Sequence, residues 1–335
     1  MNYVVKKLKS YELELSVILD KSDLDHYISE AQKHLANDLK IKGFRQGKAP
    51  VEIAKDKLGK KQVLETAFDI AFKQSFSDVL MKEKFELINA GKFEIKDNSA
   101  EKMSYSVLLT VFPEIKIGNY KNIQVEKKSI SVSPEEIDKT IEFIRSSRKN
   151  NNTLPELNDE FAKSLGNFEN LEQLKSSIND GLKQEKEVKE SQRVQSLILD
   201  KVASDTKIEI PSILIDRQLD QMMLDLDADL HGQGMELGLF LAKIKKTSDE
   251  LKREWKPKAE FLVKKALILK EIAKLENIKV ESEEVKEKIS QFVQSFGTVE
   301  QAEKNIDLPK LSDQIRQILL NQKVLTFLEK RAEYV

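Results

Sequence analysis

Residues 41–50 read Ile-Lys-Gly-Phe-Arg-Gln-Gly-Lys-Ala-Pro, and the interpretation of the whole chain starts from this stretch. Gly43 and Gly47 give the backbone access to positive φ angles, so the stretch predicts a tight, exposed loop. Phe44 and Arg45 stand between them, an apolar side chain beside a forked hydrogen-bond donor. That pair is typical of a docking tip, in which an apolar anchor fills a pocket and a cation meets carboxylate or phosphate.

The charge around this loop is strongly positive. From residue 40 to residue 61 there are eight Lys or Arg against two acids, a local charge of +6 in a chain whose net charge is −1. Such an excess indicates an anionic partner. Two other interpretations stay open at this point: a basic surface loop that only joins two helices, and an RNA-binding module that uses the 40–61 basic patch.

The segment from Gly43 to Pro50 resembles the ribosome-docking signature of trigger factor, a family of bacterial chaperones that act at the nascent-chain exit. The family pattern is G-F-R-x-G-K-x-P, with a lysine frequent at the variable position, where this chain has Gln46. The resemblance implies that the loop binds the ribosome, at an exit-site protein and rRNA, with one cation fewer than is usual. The implied ribosome-binding residues are Gly43, Phe44, Arg45, Gln46, Gly47 and Lys48.

The composition excludes several kinds of site. The 335 residues contain no cysteine, so a disulfide, a thiolate nucleophile and a cysteine metal site are all impossible. The three histidines lack metal-ligand spacing, and we find no phosphate loop, dinucleotide fingerprint or Ser-His-Asp arrangement. We therefore expect no cofactor, no metal and no catalytic residue. The sequence shows no signal peptide and no membrane-spanning run, which predicts a cytoplasmic protein without a membrane partner.

Residues 1–112 predict a small α+β domain. From Tyr11 to Leu19 the odd positions are apolar and most even positions are polar, the pattern of a strand with one buried face. Ser22 is a candidate N-cap for the helix that follows, and two further strands fit Phe85–Ile95 and Met103–Phe112. The resemblance implies that this N-terminal domain is the ribosome-binding domain.

Residues 113–132 predict an extended linker, and residues 133–335 predict a helical domain. Ser133, Pro134 and Glu136 form a capping-box signature at the start of its first helix. Residues 149–153 form a short polar connector where the family normally carries a peptidyl-prolyl isomerase domain. Because a domain of about 100 residues cannot fit into so short a connector, we expect no isomerase activity.

The helical region has few distinguishing motifs. Residues 170–205 predict one long helix whose mixed charges are typical of a solvated surface. The next helix carries five aspartates without calcium-loop spacing, so a solvated acidic face is a better interpretation than a metal site. The resemblance implies an elongated all-α C-terminal chaperone domain with helical arms that bind clients. The candidate client-binding residues are Met222, Met223, Met235, Leu237, Leu239 and Phe240, for which packing between the arms is an equally good interpretation.

These observations predict an ATP-independent holdase that docks at the ribosomal exit and shields apolar segments. The implied partners are the ribosome and unfolded or nascent polypeptides, and off the ribosome the resemblance also allows a homodimer. The alternative from another class is the RNA-binding module on the 40–61 patch, which the acidic helical half disfavours. An isomerase-type enzyme is a third alternative, which the missing domain disfavours.

Overall fold

The structure is a computed structural model that describes residues 1–38, 58–149, 154–294 and 307–335. The chain divides into two compact units: the first comprises Met1–Glu114 and Ile208–Lys256, and the second comprises Ile115–Lys207 and Pro257–Val335. The predicted docking residues from Gly43 to Lys48, and residues 150–153 of the predicted connector, lie outside the described residues. The domain boundaries inferred from the sequence stay a prediction.

A four-stranded antiparallel sheet forms the base of the first unit. Its strands are β1 (Asn2–Lys7), β2 (Glu12–Asp20), β3 (Leu87–Asn98) and β4 (Lys102–Val111). Across the sheet their order is β1-β2-β4-β3. Two helices, α1 (Lys21–Asp38) and α2 (Lys60–Glu83), bury their apolar sides in a common core with β2 and β4.

Strand β2 has the alternation that its sequence predicts. Leu13, Leu15, Val17 and Leu19 are buried, while the residues between them are half-buried. Leu15 lies opposite Val107 of β4, so the apolar faces of the two central strands coincide. Each fully buried side chain of this size stabilises the fold by roughly 1.5–3 kcal/mol, which makes this face the main determinant of the sheet.

The start of α1 differs from the prediction that Ser22 is its N-cap. The helix begins at Lys21, so Ser22 already lies in its first turn. The side chain of Asp23 instead accepts a hydrogen bond from the backbone N–H of Asp20 at 3.3 Å and pairs with the amino terminus of Met1 at 2.7 Å. That ammonium group holds the pKa of Asp23 below its usual value. A carboxylate in the first turn therefore satisfies this helix end.

In the part of the chain that the structure describes, eight further helices follow the sheet. They are α3 (Pro134–Ser147), α4 (Asp159–Leu165), α5 (Leu171–Asp205), α6 (Ser212–Gly232), α7 (Leu237–Ile244), α8 (Ser248–Leu275), α9 (Ser282–Gln294) and α10 (Leu308–Lys330). The capping box at the start of α3 is confirmed: Ser133 Oγ accepts from Glu136 N at 3.4 Å, and Glu136 Oε2 accepts from Ser133 N at 2.9 Å. The long helix predicted over 170–205 is also confirmed as α5. Helix α8 contains Pro257 in its interior.

Three helices end through the same backbone turn. A residue one or two positions after the last helical residue has a positive φ: Gly234 at 74°, Lys245 at 54° and Asn277 at 52°. The next residue then donates to a carbonyl five positions back, as in a Schellman motif. These hydrogen bonds join Met235 N to Leu230 O (2.9 Å), Lys246 N to Leu241 O (3.1 Å) and Ile278 N to Ala273 O (2.8 Å).

The second unit has its own core, formed by α5, α8 and α10. Ile198 and Val202 of α5 and Ile268 and Ile272 of α8 are fully buried. Leu328 of α10 joins them in the same cluster. This burial explains why α5 stays helical over 35 residues, although much of its length is strongly charged.

The segment predicted as a linker is bound along α5 by its own backbone groups. Glu190 accepts from the backbone N–H of Lys128 at 2.7 Å, and Arg193 donates to the carbonyl of Glu126 at 2.7 Å. The paired guanidinium of Arg193 and the N–H of Lys128 lower the pKa of Glu190 to about 2. Lys201 donates to the carbonyl of Gln124 at 2.7 Å. The described part of the predicted linker is therefore a strap within the second unit, and it packs along α5.

Two short strands complete this strap. Strand β5 (Gln124–Val125) lies in the linker and pairs in parallel with β6 (Glu333–Tyr334), which follows α10. Glu333 N donates to Ile123 O at 3.1 Å, and Val335 N donates to Val125 O at 3.2 Å. The ammonium group of Lys127 lies 4.7 Å from the ring centroid of Tyr334.

Candidate functional site

The six candidate client-binding residues lie on α6, on α7 and in the turn between them. All belong to the first unit, in which α6 and α7 pack against each other. The turn is fixed by Gly234, whose φ of 74° is the left-handed conformation that glycine adopts without a Cβ clash. Met235 donates its N–H back to Leu230, so α7 folds back beside the end of α6.

The two candidates on α6, Met222 and Met223, differ in burial. Met223 is 8% exposed and shares the inner stripe with Ile215, Leu219 and Leu230, at the three- and four-residue spacing of one helix face. Met222, one position earlier, is only half-buried. Met223 is therefore part of the packing of the first unit. Met222 remains accessible to another molecule.

Helix α7 is the most apolar short element among the described residues. Its sequence, Leu-Gly-Leu-Phe-Leu-Ala-Lys-Ile, offers five large apolar side chains, and no residue of the helix is buried. Leu239 is 65% exposed, whereas Leu237 and Phe240 are half-buried. Such a helix exposes apolar surface that another molecule can cover.

The sequence interpretation missed three accessible apolar residues of α6 and α7. Leu241 and Ile244 of α7 are half-buried, and Leu224 of α6 is exposed. The signal for the two residues of α7 was available, because that helix is apolar at nearly every position, without a polar face to turn outward. We define the α6–α7 surface as Met222, Leu224, Met235, Leu237, Leu239, Phe240, Leu241 and Ile244.

Charged groups surround the α6–α7 surface. Asp220 of α6 pairs with Lys252 of α8 at 2.6 Å and raises the pKa of that lysine. His231, in the last turn of α6, donates from Nδ1 to the carbonyl of Asp227 at 2.8 Å when that nitrogen carries the proton. This hydrogen bond and the carboxylate of Asp227 raise the pKa of His231. Two of the five aspartates of α6, Asp220 and Asp227, thus form ion pairs.

Two kinds of feature are not found among the described residues. Among them, no group of three or more His, Asp or Glu side chains could hold a metal ion. No helix of the described chain is long and apolar enough to span a membrane. What the described α6–α7 surface does offer is adaptable apolar area, because leucine, methionine and phenylalanine side chains can repack against differently shaped ligands.

Comparison with known proteins places both parts of the chain in one family. The family model described as "Bacterial trigger factor protein (TF)" matches residues 1–144, and the model of the trigger factor C-terminus matches residues 170–330. The trigger factor of Clostridium kluyveri is 22% identical over 423 aligned positions that cover 98% of each chain. The trigger factor of Clostridium botulinum strain Hall is 22% identical and covers 89% of this chain and 91% of its own.

A solved structure has a similar fold over the whole chain. It covers 98% of this chain and 99% of its own with a TM-score of 0.60 and 20% identity. Its title describes promiscuous substrate recognition in folding and assembly activities of the trigger factor chaperone. The similarity confirms the predicted fold class, a small N-terminal α+β part followed by helices. The RNA-binding alternative gains no support from any of these matches.

Proposed function

We propose a function from the premise that this chain belongs to the bacterial trigger factor family. The protein is an ATP-independent chaperone of the cytoplasm that shields apolar segments of unfolded or nascent polypeptides. It docks at the ribosomal exit through residues 43–48, against an exit-site protein and rRNA. It has no isomerase activity, because it lacks the domain that would supply it.

The observation that carries the shielding function is α7. Its five large apolar side chains lie on a short helix without a buried residue, beside the half-buried Met222 and Met235. A side chain that is buried in the folded protein cannot meet a client, and these are not buried. Because the surface consists of flexible and branched apolar groups, it suits many sequences.

The loss of the isomerase domain is supported by the alignment with the Clostridium kluyveri relative. That alignment spans 423 positions, whereas this chain has 335 residues, so at least 88 positions of the relative have no counterpart here. The two family models leave residues 145–169 unmatched between them, the region in which the connector lies. Refolding of a client limited by proline isomerisation should therefore proceed at its uncatalysed rate.

Shielding is tested with Leu239→Gln and a matched control. Covering the exposed part of a leucine is worth about 1–2 kcal/mol, so the variant should need a several-fold higher concentration to delay aggregation of an unfolded client. Met81→Gln is the control, because Met81 is 67% exposed, also on a helix of the first unit, but outside the α6–α7 surface. Equal effects of the two substitutions would show that α7 is not the client surface.

Docking is tested by pelleting with intact ribosomes. Arg45→Ala removes a charge-assisted hydrogen bond and should weaken binding by roughly 1–3 kcal/mol. Lys61→Ala is the control, since this lysine is an exposed cation of the same basic patch outside the 43–48 loop. Unchanged pelleting of the Arg45 variant at moderate salt would reject the docking role of the loop.

A further inference from the structure

The second unit contains a groove between α5 and α10. Its volume is about 780 Å³, and eleven side chains line it. At one side Glu329 of α10 accepts hydrogen bonds from Ser191 Oγ at 2.6 Å and Gln195 Nε2 at 2.7 Å. These hydrogen bonds hold the two helices together beside the groove. The groove is therefore preformed, and a ligand does not have to open it.

The groove is almost uncharged, in a chain of which 34% is charged. Glu187 is its single ionisable side chain, while five of the eleven lining residues carry amides. Three of these amides, on Gln184, Gln192 and Gln322, have no side-chain hydrogen bond to another described residue. All three residues are exposed, so their amides are open to solvent and can hydrogen-bond to a ligand that enters the groove.

The complement of a side-chain amide is another amide. Each glutamine offers two N–H donors and a carbonyl acceptor, and each peptide group offers one of each. Val188 is 51% exposed and Ile318 is 63% exposed, and they add apolar contacts on opposite walls of the groove. A neutral main chain with small or β-branched side chains matches this lining, whereas an acidic segment would have to be desolvated beside Glu187 without a counterion.

The length of the groove fits an extended segment. From Gln184 to Gln195 the helix rises by about 16 Å. An extended chain covers that distance in about five residues. A main chain can hydrogen-bond to the groove only if its N–H and C=O groups are not already paired. Folded proteins pair nearly all of these groups, so the groove suits an unfolded chain.

We propose that the groove between α5 and α10 binds extended, uncharged segments of unfolded polypeptide by their main chain. Gln192 and Gln322 hydrogen-bond to peptide groups, and Val188 and Ile318 contact the side chains. The inference rests on the proposed chaperone function and adds a second kind of recognition to it. The α6–α7 surface selects apolar side chains, whereas the groove selects an unpaired backbone.

The test uses a fluorescein-labelled probe of alternating valine and threonine, about seven residues long, and the same peptide N-methylated at its valines. Methylation removes peptide N–H donors and keeps the side chains. Binding to the full chain is measured by fluorescence anisotropy. The N-methylated probe should bind roughly tenfold more weakly, as expected for losing about two net hydrogen bonds. Equal affinity for the two probes would overturn the proposal without any variant having to fold.

The variant arm compares Gln192→Leu/Gln322→Leu with Gln291→Leu. The double variant keeps side-chain size and removes the amides, so it should bind the unmethylated probe roughly tenfold more weakly and no longer distinguish the two probes. Gln291 is an exposed glutamine of α9 outside the groove, and its substitution should change neither affinity. An equal loss in the control would also overturn the proposal.

Two further measurements separate this proposal from the proposed function. If the unmodified chain fails to delay aggregation of an unfolded client, the chaperone function itself is wrong. If it delays aggregation but does not bind the probe, only the groove proposal is wrong. If sedimentation shows that the double variant dissociates a dimer of the unmodified chain, the groove is an interface between copies, which also rejects the proposal.

Discussion

Ser75 and Tyr105 form a buried polar pair in the first unit, and their hydroxyls lie 2.8 Å apart. Ser75 also donates to the carbonyl of Ala71 at 2.6 Å. A serine hydroxyl has one hydrogen, so the tyrosine must be the donor within the pair. Both side chains are fully buried, between α2 and β4, and no solvent can replace either partner.

Because Tyr105 is the donor, the two single substitutions should lower the free energy of unfolding by different amounts. Ser75→Ala leaves the Tyr105 hydroxyl buried without an acceptor, which should cost about 1–3 kcal/mol. Tyr105→Phe leaves Ser75 bonded to Ala71 and keeps the ring contact with Phe72, whose centroid lies 4.9 Å away. Its cost should be about 0.5–1.5 kcal/mol, the net value of one hydrogen bond. The double variant should be more stable than the sum of the two losses predicts.

Native-state hydrogen exchange of β4 and α2 amides is the appropriate assay, because two units need not unfold in one transition. The opening free energy of these amides should fall most in Ser75→Ala. Additive effects in the double variant, or a larger loss in Tyr105→Phe, would refute the assigned donor and acceptor.

The Ser75–Tyr105 pair also makes the stability of the fold depend on pH in the alkaline range. Burial raises the pKa of Tyr105 from 10.0 to about 12. Since the folded state disfavours the phenolate, this contribution is fully present below pH 10 and is lost as the pH rises toward 12. Tyr105→Phe should remove that part of the alkaline destabilisation, measured as exchange-derived stability between these two pH values.

Three other changes should have defined outcomes. Lys245→Gly relieves a side chain at a φ of 54° and should stabilise the end of α7 by about 0.5–1 kcal/mol, measured by hydrogen exchange. Protection at the end of α6 should fall as the pH rises through the raised pKa of His231, since only the charged ring is attracted to the carboxylate of Asp227, and His231→Gln should abolish that dependence. Gln46→Lys should tighten ribosome binding and steepen its log–log salt slope by about 0.7–0.9 if position 46 faces a phosphate, whereas an unchanged slope would exclude that contact.

The parts of the fold that local sequence determines were predictable. The strand β2 and the start of α3 follow from alternation and from the Ser133–Glu136 capping box, which need only neighbouring residues. The length of α5 was predicted too, from its unbroken helical pattern. Ser22 was assigned wrongly as a cap because a carboxylate in the first turn, Asp23, satisfied the same helix end.

The long-range contacts were not predictable from pattern. Glu190 belongs to a run of mixed charges that is typical of a solvated helix, yet it is buried against the backbone of Lys128, 62 positions earlier in the chain. The sequence did not indicate that Met223 faces inward and Met222 does not. Both positions fit the spacing of the inner face, and only the tertiary packing decides between them. The amide groove escaped notice for the same reason, since α5 and α10 contribute its walls from distant parts of the sequence.

The parallel pairing of β5 with β6 has a consequence for the order of folding during synthesis. Its two strands are separated by about 200 residues, so the pair is among the least local contacts of the second unit. A ribosome that adds about 5–20 residues per second has produced the strap at residues 124–128 at least 10 seconds before Glu333 exists. During that interval the strap has only its contacts with α5, once that helix has emerged. Strand β5 thus has no strand partner until Glu333 and Tyr334 have been synthesised.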